Sequence, residues 1–274
     1  MDSAALDRLL AADLDPANRR RLRVALEWLN PKRTDRVLDC GCGLGWSLVV
    51  MGAACPCRLV GIDVDPRRLA HAAEVCGRTT PLAAASAAAL PFPDGSFDAV
   101  LITEVLEHIE DDRRALREVV RIVKPGGLVA ITVPNVRYPF WWDPVNRIRE
   151  WLGLSPVRQG FFGGIWTDHV RLYSRDDITT LAADAGLAVD DVRMIPGIGL
   201  PFAHNLLYGL GKWLVLNGVL VRASRFSHRQ QPATRMHPLR WPFLLVAALD
   251  RLNDRRRDDE EPSVSIAVAA RKPR

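Results

Sequence analysis

The run Val37-Leu38-Asp39-Cys40-Gly41-Cys42-Gly43-Leu44-Gly45 sets a carboxylate and three alternate glycines directly behind an apolar stretch. Glycine has no side chain and tolerates positive φ, so such a loop lets a ligand lie against the backbone. A second carboxylate, Asp63, ends the next apolar run, Arg58–Val64. Further along stand Glu107-His108 and, after an aromatic stretch, His169. Imidazoles titrate near neutral pH and can take or give a proton. Cys40-Gly-Cys42 and Cys55-Pro-Cys57 lack the spacing of zinc ligands, and no histidine pair follows them. They read as small buried hydrophobes, and no metal is expected.

A glycine loop of this kind also serves dinucleotides, and spacing separates the two uses. The G-x-G-x-x-G fingerprint needs a glycine at 46 or 48, where the chain has Trp46 and Leu48. The pattern is D-x-G-x-G-x-G, which argues against an NAD-dependent oxidoreductase.

The elements that must position these residues alternate. Strands are expected at Arg36–Cys40, Arg58–Val64, 80–85, Phe97–Thr103, Leu128–Val133, 188–195 and Ser263–Ala270. Helices are expected at 46–54, 66–76, 111–122 and 174–185. Such alternation predicts an α/β fold with a parallel sheet covered on both faces and ligands outside the carboxyl ends of its strands. Residues 1–33 read as an N-terminal helical cap, with Pro16 opening its second helix, and 34–274 as the main domain.

In these segments the chain resembles the class I S-adenosylmethionine-dependent methyltransferases, particularly the type 11 group that includes quinone-biosynthesis and small-molecule enzymes. The resemblance rests on VLDCGCGLG, GIDVDP, LPFPDGSFDAVLITEVLEHI, KPGGLVAITVPN and DHVRLYS, in that order. It implies a Rossmann-like, mostly parallel seven-stranded sheet with helices on both faces, and S-adenosylmethionine as cofactor. Gly41, Gly43 and Gly45 would form the loop beneath the cofactor, and Asp39 would hold that loop and the cofactor's amino group. Asp63 would accept from both ribose hydroxyls, a task suited to a carboxylate with two oxygens. Val64, Ser86 and Ala87 would flank the adenine; Ser86 stands where the family has an aspartate, leaving an acceptor without a charge. Thr103 and Glu104 would lie beside the transferred methyl group. If the acceptor must lose a proton, His169, His108 and Glu104 are the candidates, although the resemblance favours a structural role for Glu107-His108, starting the next helix and supporting the loop.

Two insertions bear on the acceptor. Segment 136–168 carries Tyr138, Phe140, Trp141, Trp142, Trp151, Phe161, Phe162 and Trp166 and reads as an aromatic lid. Segment 198–257 is apolar yet holds ten Lys/Arg against two Asp, whereas the whole chain has a net charge of only +5. Its interior polar residues argue against a spanning helix and favour an interfacial helix, a lid over a lipophilic acceptor, or a homodimer contact. The acceptor is thus expected to be a small, lipophilic quinone, lipid or polyketide-like molecule, with a membrane surface as a further partner. No base-flipping motif or second basic domain points to nucleic acid. An acidic N-terminus without a signal-like run and an odd number of cysteines, five, predict a cytoplasmic protein. The rival reading is a cofactor-binding scaffold recruited to membranes without turnover.

Overall fold

The computed structural model describes residues 3–10, 13, 15–77, 80–197, 253 and 259–274. Apart from Asn253, the insertion 198–257 lies outside them. In chain order the elements are α1 (Ser3–Leu10), α2 (Pro16–Leu29), β1 (Arg36–Cys40), α3 (Trp46–Ala54), β2 (Arg58–Asp63), α4 (Pro66–Cys76) and β3 (Leu82–Ala84). They continue with β4 (Phe97–Thr103), α5 (Asp112–Ile122), β5 (Val123–Pro134), α6 (Pro144–Trp151), α7 (Arg175–Asp184), β6 (Ala188–Ile195) and β7 (Ser265–Arg271).

The strands form one sheet in the order β3-β2-β1-β4-β5-β7-β6. Only β7 runs against its neighbours, pairing antiparallel with both β5 and β6. Helices on both faces explain why the central strands are apolar on both sides: Val37 and Leu38 of β1, Val100 to Ile102 of β4 and Val129 to Ile131 of β5 are all fully buried. The chain steps outward from β1 to β3, then returns to place β4 on the other side of β1. That reversal opens a crevice at the carboxyl ends of β1 and β4, where α/β sheets bind ligands.

Local signals start the helices. Asp15-Pro16, Asp65-Pro66 and Asp143-Pro144 share one device, in which the aspartate side chain accepts an amide of the first turn and proline occupies the first helical position. Each such cap contributes about 1 kcal/mol. The third was not read from sequence, because the surrounding aromatics of 136–168 show no clear period; α6 and the 3₁₀ turn Phe161–Trp166 are the elements it hid. Strand β5 also starts earlier than expected, since Val123 already pairs with Phe97 before a bulge.

The N-terminal helices are built into the sheet's packing. Leu22, Leu26 and Leu29 of α2 share a core with Val37, Leu101 and Ala130. Burying each leucine stabilises by roughly 1.5–3 kcal/mol. All five cysteines are free, and Cys40, Cys42 and Cys55 are buried, as expected of small hydrophobes.

Candidate active site

The glycine loop leaves the carboxyl end of β1 and enters α3. Gly41 and Gly43 have φ of +86° and +53°, the region L side chains rarely adopt. At Gly41 an added Cβ would run into the Val105 side chain, so the loop after β4 packs directly on the glycine loop. At Gly43 nothing lies within 4 Å of such a Cβ, and the backbone is open on that side. Gly45 differs: its Cβ would meet Ala72 and Cys76 of α4, which makes it a packing glycine at the start of α3.

Two carboxylates flank this open stretch. Asp39 is fully buried, and burial pushes its carboxyl up to about 7; the hydroxyl of Ser47, which donates to Oδ2, pulls the other way. Its Oδ1 has no hydrogen-bond partner. A buried acceptor of this kind is costly unless something donates to it, and an ammonium group fits. Asp63, 5% exposed, accepts from Gly43 N through Oδ2 and from Asp65 N through Oδ1, both at 2.9 Å. Each oxygen keeps a second lone pair for a ligand hydroxyl. The orphaned oxygen of Asp39, the open face of Gly43 and the spare capacity of Asp63 fit the amino and ribose groups of S-adenosylmethionine.

The remaining residues expected on the cofactor side lie along the same edge of the sheet. Val64 follows β2 and is 75% exposed, an apolar surface with room for a ring. Ala87 is buried, while exposed Ser86 accepts from Ala88 N at 3.2 Å through its hydroxyl. Thr103 is half-buried at the end of β4, paired with Thr132 of β5.

Glu104, expected beside the transferred methyl group, is held by groups from two other elements. Its φ of +53° turns the chain sharply, and its carboxylate is taken up by Arg21 Nη1 at 3.1 Å and Thr132 Oγ1 at 3.0 Å. Arg21 comes from α2 and also donates to Ser265 Oγ at 3.0 Å. This arrangement ties the turn after β4 to α2, β5 and β7.

Sequence reading also undervalued Glu107. It lies in the 3₁₀ turn Leu106–His108, is fully buried, and has no hydrogen-bond partner at either carboxylate oxygen. Burial first, and the nearby Glu104 second, raise its carboxyl well above the ordinary range. Both candidate histidines gather on it: His169 Nε2 is 3.9 Å and His108 Nε2 4.0 Å from Glu107 Oε1. Two ties hold the loops together, Val170 N to Glu107 O at 2.8 Å and His108 Nδ1 to Asp168 O at 2.9 Å.

The aromatic segment adjoins this cluster. A polar network folds it: Asp143 accepts from Asn146 Nδ2 at 2.7 Å and Ile165 N at 3.0 Å. Glu150 accepts from Tyr138 Oη at 3.0 Å and Trp166 Nε1 at 2.8 Å. Tyr138 and Trp142 are buried, whereas Trp141, Trp151, Leu152, Leu154 and Phe162 are exposed. The segment reaches the cluster directly, His169 N donating to Trp166 O at 3.2 Å.

Comparison with known proteins places these features in a family. Residues 38–131 match the family model described as a methyltransferase domain. A probable S-adenosylmethionine-dependent methyltransferase of Mycobacterium tuberculosis is 33% identical over 186 residues, 66% of this chain and 60% of that one. The chain therefore spans less than two thirds of that relative. O-methyltransferase rstn1 of Aspergillus nomiae is 34% identical over 204 residues, 69% of this chain and 81% of that protein. The fold matches Haemonchus contortus phosphoethanolamine N-methyltransferase 2 in complex with S-adenosyl-L-methionine, with TM-score 0.54 and 19% identity over 93% of this chain and 52% of that one.

Proposed function

Since this chain belongs to the class I S-adenosylmethionine-dependent methyltransferases, we propose that it transfers a methyl group from S-adenosylmethionine to a hydroxyl oxygen of a small, lipophilic acceptor. The observation that carries this reading is the contact of Val105 with Gly41. Through it, Glu107 and His108 stand directly after a loop that packs on the glycine loop, and His169 is tied to them by the bond from Val170 N to Glu107 O.

In the reaction the acceptor oxygen attacks the methyl carbon in line with the sulfonium. The new C–O bond forms as the C–S bond breaks, leaving S-adenosylhomocysteine, and the hydroxyl proton departs. The sulfur is already a good leaving group, so the protein's work is to align the partners, exclude water and take charge of that proton. Asp39, Gly43 and Asp63 would hold the amino and ribose groups, with Val64, Ser86 and Ala87 around the adenine. Proton loss would occur at the Glu107, His108 and His169 cluster.

The lipophilic acceptor is supported by the exposed aromatic and aliphatic side chains of 136–168 next to His169. The name of the Aspergillus relative supports oxygen as the atom methylated. Among the described residues no helix is long and apolar enough to cross a membrane.

A panel of hydroxyaromatic acceptors with alkyl chains of increasing length, offered with methyl-labelled S-adenosylmethionine and read by mass spectrometry, tests the reading. Label on oxygen, with efficiency rising with chain length, is expected. Turnover confined to amines or to strongly hydrophilic acceptors would overturn it.

A further inference from the structure

Glu107, His108 and His169 present three lone-pair atoms that all lie within 4.8 Å of one another. The tautomer of His108 follows from its surroundings. Its Nδ1 is 2.9 Å from the carbonyl oxygen of Asp168, which can only accept, so Nδ1 carries the hydrogen. The neutral ring then turns a lone pair at Nε2 toward Glu107 Oε1, 4.0 Å away. His169 Nε2 approaches the same oxygen at 3.9 Å. Both separations exceed a hydrogen bond.

Both Glu107 oxygens are fully buried and without a hydrogen-bond partner, which is costly unless a proton or a cation occupies the space they face. The two imidazole rings, which touch edge to face with centroids 4.7 Å apart, supply no hydrogen bond to Glu107. Nor does Arg21 serve directly, since its Nη1 is committed to Glu104 and Ser265. A single cation among the three atoms satisfies all of them together. With two sides of 3.9 and 4.0 Å and the third within 4.8 Å, the point equidistant from the three atoms lies roughly 2.3–2.5 Å from each, a little beyond the 2.0–2.2 Å that zinc takes to nitrogen and oxygen and within reach of a small side-chain adjustment.

We propose that Glu107, His108 and His169 bind one divalent transition-metal ion of the zinc type, with its remaining coordination positions open. Two imidazoles and a carboxylate suit this class better than magnesium or calcium, which prefer oxygen throughout. The bond from His108 Nδ1–H to a backbone carbonyl is the outer contact that typically orients a metal-binding imidazole. His108 is exposed, so an ion can reach the site from solvent. This goes against the expectation from sequence, where only the cysteine spacings were weighed as ligands.

The inference does not depend on the acceptor, because binding can be measured without it. The full-length protein is stripped with a chelator and dialysed against Zn²⁺ or Co²⁺; bound metal is counted by mass spectrometry, and the visible absorption of Co²⁺ reports its ligands. One ion per chain is expected for the wild type. Glu107→Gln and the double variant His108→Ala/His169→Ala should each lose at least tenfold in affinity. Both should still bind S-adenosylmethionine within about threefold of wild type, which shows that they are folded. A wild type that takes up no stoichiometric ion, or variants that bind it equally well, would overturn the site and leave the methyl-transfer reading untouched.

Discussion

Asp39 is the residue whose removal has the most sharply defined consequence. In the unfolded chain its carboxyl titrates near 3.8, and in the folded protein burial moves it to about 7. Between those values the folded state holds more protons than the unfolded one. Stability contributed by this group is therefore complete below about pH 4, declines as pH rises towards 7, and stays level above. The ceiling of the loss is about 4 kcal/mol, from about three pKa units at 1.36 kcal/mol each. Asp39→Asn keeps the shape and an acceptor for Ser47 while removing the charge. It should stabilise the ligand-free protein at pH 8 relative to wild type, by about 1–4 kcal/mol, and by only about a quarter as much at pH 4.5. Binding should move the opposite way. An ammonium ligand needs the ionised carboxylate, so wild-type affinity for S-adenosylmethionine should rise roughly fifteenfold between pH 5.5 and 7, with release of a proton. The variant should bind at least tenfold more weakly at pH 7 and show no such slope. Urea denaturation at the two pH values and calorimetry in buffers of different ionisation enthalpy give both quantities. Equal pH slopes in wild type and variant would refute the reasoning.

Three further outcomes follow from the packing and hydrogen bonds described. Gly43→Ala meets open space and should cost only about 1 kcal/mol of stability while weakening cofactor binding, whereas Gly41→Ala, which meets Val105, should cost more than 2 kcal/mol; thermal melts with and without S-adenosylmethionine separate the two. Asp143→Ala removes the cap of α6 and the partner of Ile165 N, and should destabilise by about 2–3 kcal/mol while exposing 144–166 to limited proteolysis. Arg21→Met leaves Glu104 without its cation and should cost about 2–3 kcal/mol, restored in part by adding Glu104→Gln in a double-mutant cycle.

Most of the fold was legible because its signals are local. The glycine loop, the carboxylates ending β1 and β2, and Pro16 at the start of α2 each act within a few residues of themselves. The antiparallel last strand was found nearly in place, at Ser265–Arg271 against an expected Ser263–Ala270. What sequence reading missed depends on distance along the chain. Glu104 looks free until Arg21, 83 residues earlier, is seen to reach it. Glu107 looks like a helix-start residue until His169 is brought to it by the tie between Val170 and Glu107. That Gly45 is also needed for packing on Ala72 and Cys76 of α4 was not visible in the sequence. The helix α6 was obscured for a different reason: Trp151, Ile148 and Leu152 are exposed, so its apolar residues do not mark an inward face.

The central claim is that Asp39, Gly43 and Asp63 form a working S-adenosylmethionine site, and titration calorimetry on wild type and Asp63→Ala tests it most directly. Saturable one-to-one binding by wild type is predicted, weakened at least a hundredfold in the variant, because two hydrogen bonds to a charged acceptor are lost at about 1.5–3 kcal/mol each. No binding by wild type, or equal binding by a folded Asp63→Ala, would contradict the account.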